Sequence, residues 1–401
     1  MRFYEYETKD LFRRHGIPLV KHGVAYSAAD ARRLALEIGC PVVMKSQVLS
    51  GGRMKAGAVK FADTPEEAEQ LYDEIIPIVV RGQKARGVLV EEKVPLAKQF
   101  FIGITWDSRA KLPVLVVTDL GGIDVEEEAE KNPDHVTKTH LSTILPCCEY
   151  KAKDALSAAG IGGRDLNRLV PLVTTLTRIF LKYDLTLCEV NPLVQTTDGH
   201  FYVLDGHIDM EAEARDRHAK LLEELGIRTE ETRQARPPTE FEIRGVEVNE
   251  ADHRGVAGNV VEFEGDLGLI IGAGGGSLTL FDAIRKHGGE PANYCEIGGN
   301  PSVYKTKELT KLILSKPGVK KISVMMNVVS NTRVDIIARG VIKGCVEMGR
   351  DPSKTIAMFR IPGAWEEEGA KILKRYGVEY SDRSVSMNEA AKRTVENLAR
   401  H

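Results

Sequence analysis

Cys188-Glu189-Val190-Asn191-Pro192-Leu193-Val194, then Thr197-Asp198-Gly199, then Tyr202-Val203-Leu204-Asp205-Gly206 is the stretch that decides the fold of this chain. Two apolar runs around a Thr-Asp-Gly turn read as a β-hairpin. With Asp198 at its centre, Asn191 and Asp205 fall directly opposite each other, because each lies seven residues from it. Opposed residues on one face have Cβ atoms about 5 Å apart, so an amide oxygen and a carboxylate can share one hard cation. Magnesium takes such oxygen ligands and completes its shell with waters and substrate phosphates. Glu189, two residues before Asn191, shares their face by the strand period of two. Taken alone, this polar face is equally well the solvated side of an ordinary hairpin.

Upstream, Val42-Val43-Met44-Lys45-Ser46 runs into Gly51-Gly52-Arg53-Met54-Lys55-Ala56-Gly57. A lysine ending an apolar strand before a basic, glycine-rich turn offers cations and close backbone N–H groups, the chemistry that polyphosphate binding requires. No Walker A pattern occurs in the chain, so the turn is of another kind. The turn and the hairpin face call for the same ligand, a magnesium nucleotide.

Around these motifs, residues 1–236 alternate short β-branched runs (41–44, 87–90, 112–117, 185–194) with amphipathic stretches at 28–36 and 64–76, the pattern of an α/β domain. Residues 237–257 carry Pro237-Pro238, many charges and little periodicity, and read as a linker. Residues 258–401 alternate strands (267–271, 322–327, 355–359) with helices, which favours a parallel, doubly wound sheet.

The chain has 401 residues, 42% hydrophobic and 28% charged, with a formal net charge of -3. That balance gives no basic field for nucleic acid or anionic lipid. The amino terminus has charges throughout, and no stretch approaches the ~18 uninterrupted apolar residues of a membrane span, so a cytoplasmic location is expected. The 6 cysteines are scattered without C-x-x-C pairs, which indicates buried free thiols rather than a disulfide or zinc framework.

In the second half, Leu269-Ile270-Ile271-Gly272-Ala273-Gly274-Gly275-Gly276-Ser277 is a strand-turn-helix junction suited to an anion. A dinucleotide fingerprint would need glycine at Ser277, so a carboxylate fits this turn better than a nicotinamide cofactor. The loops Asn293 to Ser302 and Asn327 to Arg333 stand at the next strand ends, where doubly wound sheets gather their ligands.

The patterns KSQVLSGGRMKAG, LVEEKVPLAKQFFIG, GGIDVEE, CEVNPLV and VLDG, in this order along the chain, resemble the ATP-grasp portion of succinyl-CoA synthetase beta subunits. They are also similar to the corresponding parts of malate-CoA ligase and of ATP-citrate lyase or citryl-CoA synthetase. The resemblance implies an ATP-grasp domain followed by a flavodoxin-like CoA-ligase domain. It further implies nucleotide contacts from Lys45, Gly52, Arg53, Met54, Glu91, Val94 and Gln99, magnesium on Asn191 and Asp205, and Glu189 orienting a phosphorylated histidine of a partner. Substrate contacts would come from Gly272, Ser330, Asn331, Thr332 and Arg333. The chain departs from the pattern at Met54, where glycine is usual, and at Gln99, often glutamate; both bear on the choice between ATP and GTP. It also lacks the asparagine usual at Gly272 in succinate-specific members and the Gly-Gly-Ile-Val run at Ser330-Asn331-Thr332. The AGGGS turn and the NYCEIGGNPS loop look closer to the citrate-using branch.

None of the 10 histidines stands in a Gly-His-Ala-Gly-like loop, and no CoA-binding motif is evident. The resemblance therefore implies an alpha subunit that supplies the phosphohistidine loop and most of the CoA site. Two other readings are a self-contained ATP-grasp ligase joining a carboxylate to an amine, and a regulatory nucleotide-binding subunit without catalysis.

Overall fold

The computed structural model describes residues 1–122, 136–145, 148–228, 233, 236–272 and 274–399, with backbone alone at 259 and 399. Ile123 to Glu127 of the GGIDVEE run, Cys147 and Ala273 lie outside the described residues. The chain divides into two compact units, Met1–Pro237 and Pro238–His401.

The first unit holds helices α1 (Glu5–Arg14), α2 (Ala28–Ile38), α3 (Pro65–Ile75), α4 (Glu149–Ala158), α5 (Gly163–Lys182) and α6 (Ala219–Glu224). Its strands are β1 (His22–Ala25), β2 (Val42–Ser46), β3 (Val59–Ala62), β4 (Val88–Glu92), β5 (Leu96–Asp107), β6 (Leu112–Thr118), β7 (Val136–His140), β8 (Leu185–Thr196), β9 (Phe201–Val203) and β10 (Gly206–Met210). They form a four-stranded antiparallel sheet, β1-β4-β2-β3, and a six-stranded antiparallel sheet, β10-β8-β5-β6-β7 with β9 also on β8. Ser27 and Thr64 cap α2 and α3 by accepting from the backbone N–H three residues on, as polar N-caps do. These helices bury Ala31, Leu34, Ala35, Ala68, Tyr72 and Ile75 against Val42, Met44, Val88 and Val90 of the smaller sheet. On the larger sheet, α5 buries Leu169, Val173, Leu176 and Phe180 against Ile102, Ile104, Val190 and Leu193.

Helix α1 is placed by a close approach. A Cβ at Gly206 would stand 2.8 Å from Phe12 Cε2 and 3.1 Å from Thr8 Cγ2, so only glycine lets the helix lie this near β10. Its start is a capping box with Glu7 reaching back to the Tyr4 N–H at 2.9 Å. Glu7 also takes both terminal nitrogens of Arg233, at 2.5 and 3.1 Å. The Arg233 and Arg86 guanidiniums lie over the Tyr4 ring, 5.1 and 5.4 Å from its centroid.

In the second unit, β11 (Val256–Glu262), β12 (Leu267–Gly272), β13 (Asn293–Gly298), β14 (Lys321–Met325) and β15 (Ile356–Arg360) form one sheet in the order β11-β13-β12-β14-β15. All pairs are parallel except β11 with β13, which closes one edge antiparallel. Its helices are α7 (Glu240–Glu250), α8 (Gly275–Lys286), α9 (Val303–Ser315), α10 (Val334–Glu347), α11 (Pro352–Thr355), α12 (Glu366–Arg375) and α13 (Met387–Ala399). One face of the sheet packs residues of α9 and α10, among them Leu309, Ile313, Ile337 and Val341; the other packs Leu280, Ile284 and Ala390 of α8 and α13. This is the doubly wound arrangement.

The span 237–257, whose composition marks a linker, instead carries α7. Thr239 and Glu242 close a capping box at its start, and a Cβ at Gly245 would meet Val260 of β11 at 2.7 Å. The helix buries only Phe241, Glu242 and Gly245, a stripe too narrow to show as hydrophobic periodicity. Its readable signal is the T-x-x-E pattern.

Candidate active site

The hairpin register is the one that the turn dictates. Leu193 faces Val203, Gln195 faces Phe201, and on β10 Val190 faces Gly206 and Glu189 faces His207. Between the two ladders the Asn191 N–H donates to the Asp205 carbonyl at 3.1 Å, so these residues oppose each other. Cys188 and Val190 alternate into the core while Glu189 and Asn191 lie on the other face. The Asn191 amide oxygen accepts from the Gly122 N–H at 2.8 Å. Across β5, Glu189 is paired with Gly103.

Lys45 at the end of β2 and Arg53 in the following turn are drawn into one buried cluster. Lys45 Nζ donates to Glu5 at 3.1 Å, to Glu91 at 2.6 Å and to the Leu204 carbonyl at 2.7 Å. Arg53 gives one terminal nitrogen to Glu5 and the other to Asp205, each at 2.6 Å. Lys9 pairs with Glu91 and, at 3.1 Å, with Glu5. Three cations thus face three carboxylates. Burial works against the charge on Glu5, yet Lys45, Arg53 and Lys9 outweigh it and hold its carboxyl well below the usual range. Burial is likewise outweighed at Lys45 by Glu5 and Glu91, and at Arg53 by Asp205 and Glu5, so both cations are held more firmly protonated than usual. Desolvation raises the Asp205 carboxyl against the pull of Arg53, with Glu5 adding to the rise.

Gly52 takes φ +87°, a left-handed value that glycine adopts without strain. The turn closes by Ala58 N–H to Arg53 O at 2.9 Å. Met54 projects from it, 63% exposed. Val94 lies half-buried between β4 and β5. The Gln99 side chain covers the Gly121-Gly122 turn, so that a Cβ at Gly122 would meet its Oε1 at 2.4 Å. Glu91 is 1% exposed and gives its two oxygens to Lys45 and Lys9; its direct partners are the cations. Glu5 and Lys9 belong to no motif of the sequence; their one signal there is the i, i+4 spacing beside the core residues Leu11 and Phe12.

Asn191 and Asp205 suit a hard cation by donor type and adjacency. Among the described residues no group of three or more His, Cys, Asp or Glu could hold a metal, so a cation here would draw its remaining ligands from phosphate and water, as magnesium does.

In the second unit, Gly272 ends β12, and a Cβ there would meet Met326 Cβ and Cγ at 2.9 Å. Ser277 on the first turn of α8 is buried, its hydroxyl within reach of the Gly274 carbonyl at 2.6 Å, Tyr294 at 2.7 Å and Glu296 at 2.8 Å. Ser330 and Asn331 are exposed. Thr332 and Arg333 are engaged elsewhere: Thr332 is buried and accepts from the Asn300 N–H at 3.3 Å. Arg333 donates to Asp335 at 3.0 and 2.9 Å and stacks 3.9 Å from the Trp365 ring centroid. Both side chains brace the loop in this structure, and Asp335, the second residue of α10, takes the Arg333 guanidinium that the sequence pattern assigned to a ligand.

A family model for the ATP-grasp domain matches residues 2–195. The chain is 33% identical over 400 residues, 99% of both chains, to the succinate–CoA ligase [ADP-forming] subunit beta of Roseiflexus sp. (strain RS-1). The chain belongs to the succinate–CoA ligase beta-subunit family. A GDP-forming member of this acid–thiol ligase family, from Thermus thermophilus, is 34% identical over 396 residues, 98% of each chain. Among solved structures, ATP citrate lyase from Methanothrix soehngenii in complex with citrate and coenzyme A matches with a TM-score of 0.60 at 20% identity, covering 98% of this chain and 99% of that one. That likeness shows a shared fold. Among the described residues of this family member, no helix is long and apolar enough to cross a membrane.

Proposed function

We propose that this chain is the nucleotide-using beta subunit of an ADP- or GDP-forming carboxylate–CoA ligase, working in the cytoplasm with an alpha subunit. A carboxylate exchanges its oxygen for a thiol only after conversion to an acyl phosphate, so phosphate must pass from nucleotide to acid. In this reading the γ-phosphoryl group moves to a histidine of the partner, then to the carboxylate, and the CoA thiol finally expels phosphate. Lys45 and Arg53 hold the nucleotide phosphates. Asn191 and Asp205 would hold a magnesium ion, which supplies charge neutralisation on the moving phosphoryl group. Glu189, on the same strand face, orients the partner's histidine. Glu91 acts through Lys45, and Met54, Val94 and Gln99 line the nucleotide.

The observation that carries this reading is the Arg53–Asp205 pair, which joins the phosphate-seeking cations and the metal-seeking oxygens into one cluster. In the second unit the turn after Gly272, with exposed Ser330 and Asn331, receives the carboxylate. The departures from the succinate-specific pattern at Gly272 and at Ser330-Asn331-Thr332 favour an acid larger or more polar than succinate.

The test is an acyl-CoA synthesis assay of the purified chain, alone and with a subunit bearing a histidine loop and a CoA site, over succinate, malate and citrate with ATP or GTP. Activity is expected only with both subunits, and the chain alone should bind magnesium nucleotide yet form no phosphohistidine. Complete synthesis by the single chain, or none with any partner, overturns the proposal.

A further inference from the structure

Among the described residues of the nucleotide cluster, Glu5 alone touches all three cations. One of its oxygens lies 3.1 Å from Lys9 and 3.1 Å from Lys45, and the other 2.6 Å from Arg53. It is 5% exposed, and its helix is fixed by the close approach at Gly206 and the capping box at Tyr4. We infer that Glu5 is a positioning residue: it sets Lys45 and Arg53 for the nucleotide phosphates and, by sharing Arg53 with Asp205, keeps Asp205 available to the metal. The inference rests on the nucleotide-binding reading above.

The argument is one of geometry and charge. Arg53 divides its guanidinium between Glu5 and Asp205, one nitrogen to each. A guanidinium released from one carboxylate closes on the other as a two-bonded fork, its preferred and stronger arrangement. Without the Glu5 charge, Asp205 becomes the only carboxylate left to Arg53 in the cluster, and a cation seeking Asp205 has to break the fork. The same loss leaves three positive groups against Glu91 and Asp205, which favours an anion that brings no metal. Removal of Glu5 therefore weakens the help that magnesium gives to nucleotide binding more than it weakens nucleotide binding itself.

The experiment is calorimetric titration of the full chain with ADP, in excess magnesium and again in chelator, for the wild type and Glu5→Gln. The quantity read is the ratio of the two affinities. It should fall by about tenfold in Glu5→Gln, the equivalent of one charge-assisted hydrogen bond. A purely structural role would lower both affinities together, and an unchanged ratio overturns the inference. If Glu5→Gln does not fold, Glu5→Asp decides: its carboxylate is withdrawn by one methylene, its ratio should fall about threefold, roughly half that free energy, and an unchanged ratio again overturns the inference. A wild-type chain that binds no ADP in either condition removes the nucleotide reading itself, a result distinct from an unchanged ratio.

Discussion

Asn191 and Asp205 face each other across the β8 hairpin, joined by the Asn191 N–H to the Asp205 carbonyl at 3.1 Å. The backbone makes this bond, so the pairing survives loss of either side chain. Asn191→Ala and Asp205→Ala are each expected to keep the fold, read by far-UV circular dichroism. Magnesium-dependent acyl-CoA synthesis should drop by more than about a hundredfold, since even outer-shell changes at metal sites cost 10- to 100-fold. Turnover near normal in either variant removes the metal assignment.

Glu189 shares the strand face of Asn191 and stands opposite His207. Glu189→Gln should leave nucleotide affinity unchanged, while transfer to the partner's histidine slows by about 100- to 10,000-fold, the range for loss of a positioned acid or base. Acid-labile phosphate on the partner subunit, followed over time with labelled nucleotide, checks this. Wild-type labelling rates in the variant exclude the role.

Lys9 is fully buried between Glu5 and Glu91. Lys9→Met removes one of three cations and leaves Glu5, Glu91 and Asp205 to Lys45 and Arg53 alone, at an expected cost of about 3–5 kcal/mol read by urea unfolding. The acid limb has a defined sign. Glu5 titrates in the fold well below its usual range, so the stability it confers is complete above the unfolded value of about 4.3 and is lost as pH falls through the folded one. Stability measured from pH 5 down to pH 3 should therefore fall less steeply in Glu5→Gln than in wild type.

Gly272 and Met326 are too close to admit another side chain, with 2.9 Å from an ideal Cβ to Met326 Cβ and Cγ. Gly272→Asn is expected to destabilise the chain by about 1–3 kcal/mol, as overpacking does. Met326→Ala removes the Cγ contact but keeps the Cβ, so it should relieve part of that strain, and the double variant should show a favourable coupling in a thermal-unfolding cycle. Strict additivity would show that the two positions are independent.

The hairpin register and the strand-helix alternation were legible because periods of two and 3.6, read about a turn, fix which residues oppose. Lys45 and Asp205 stand out as polar residues at the ends of apolar runs, and Asn191 as the residue that the turn sets opposite Asp205. Glu5 and Lys9 do not, since a helix periodicity tells which face is buried and not what charge awaits it there. Arg333 is ambiguous for the converse reason. Its planar donors suit a ligand carboxylate or a side-chain carboxylate alike, and only the folded loop shows Asp335 in place.

The clasp of Glu7 on Arg233 spans 226 positions of sequence, and the Arg53–Asp205 pair spans 152. Contacts so remote close late, because the chain loses loop entropy before they form. During synthesis Glu5 and Lys9 meet Lys45, Arg53 and Glu91 early, but Glu7 must wait through nearly the whole first unit for Arg233, and Arg53 for Asp205. The cluster of Glu5, Lys9, Lys45, Arg53, Glu91 and Asp205 is thus complete only once Asp205 has been made.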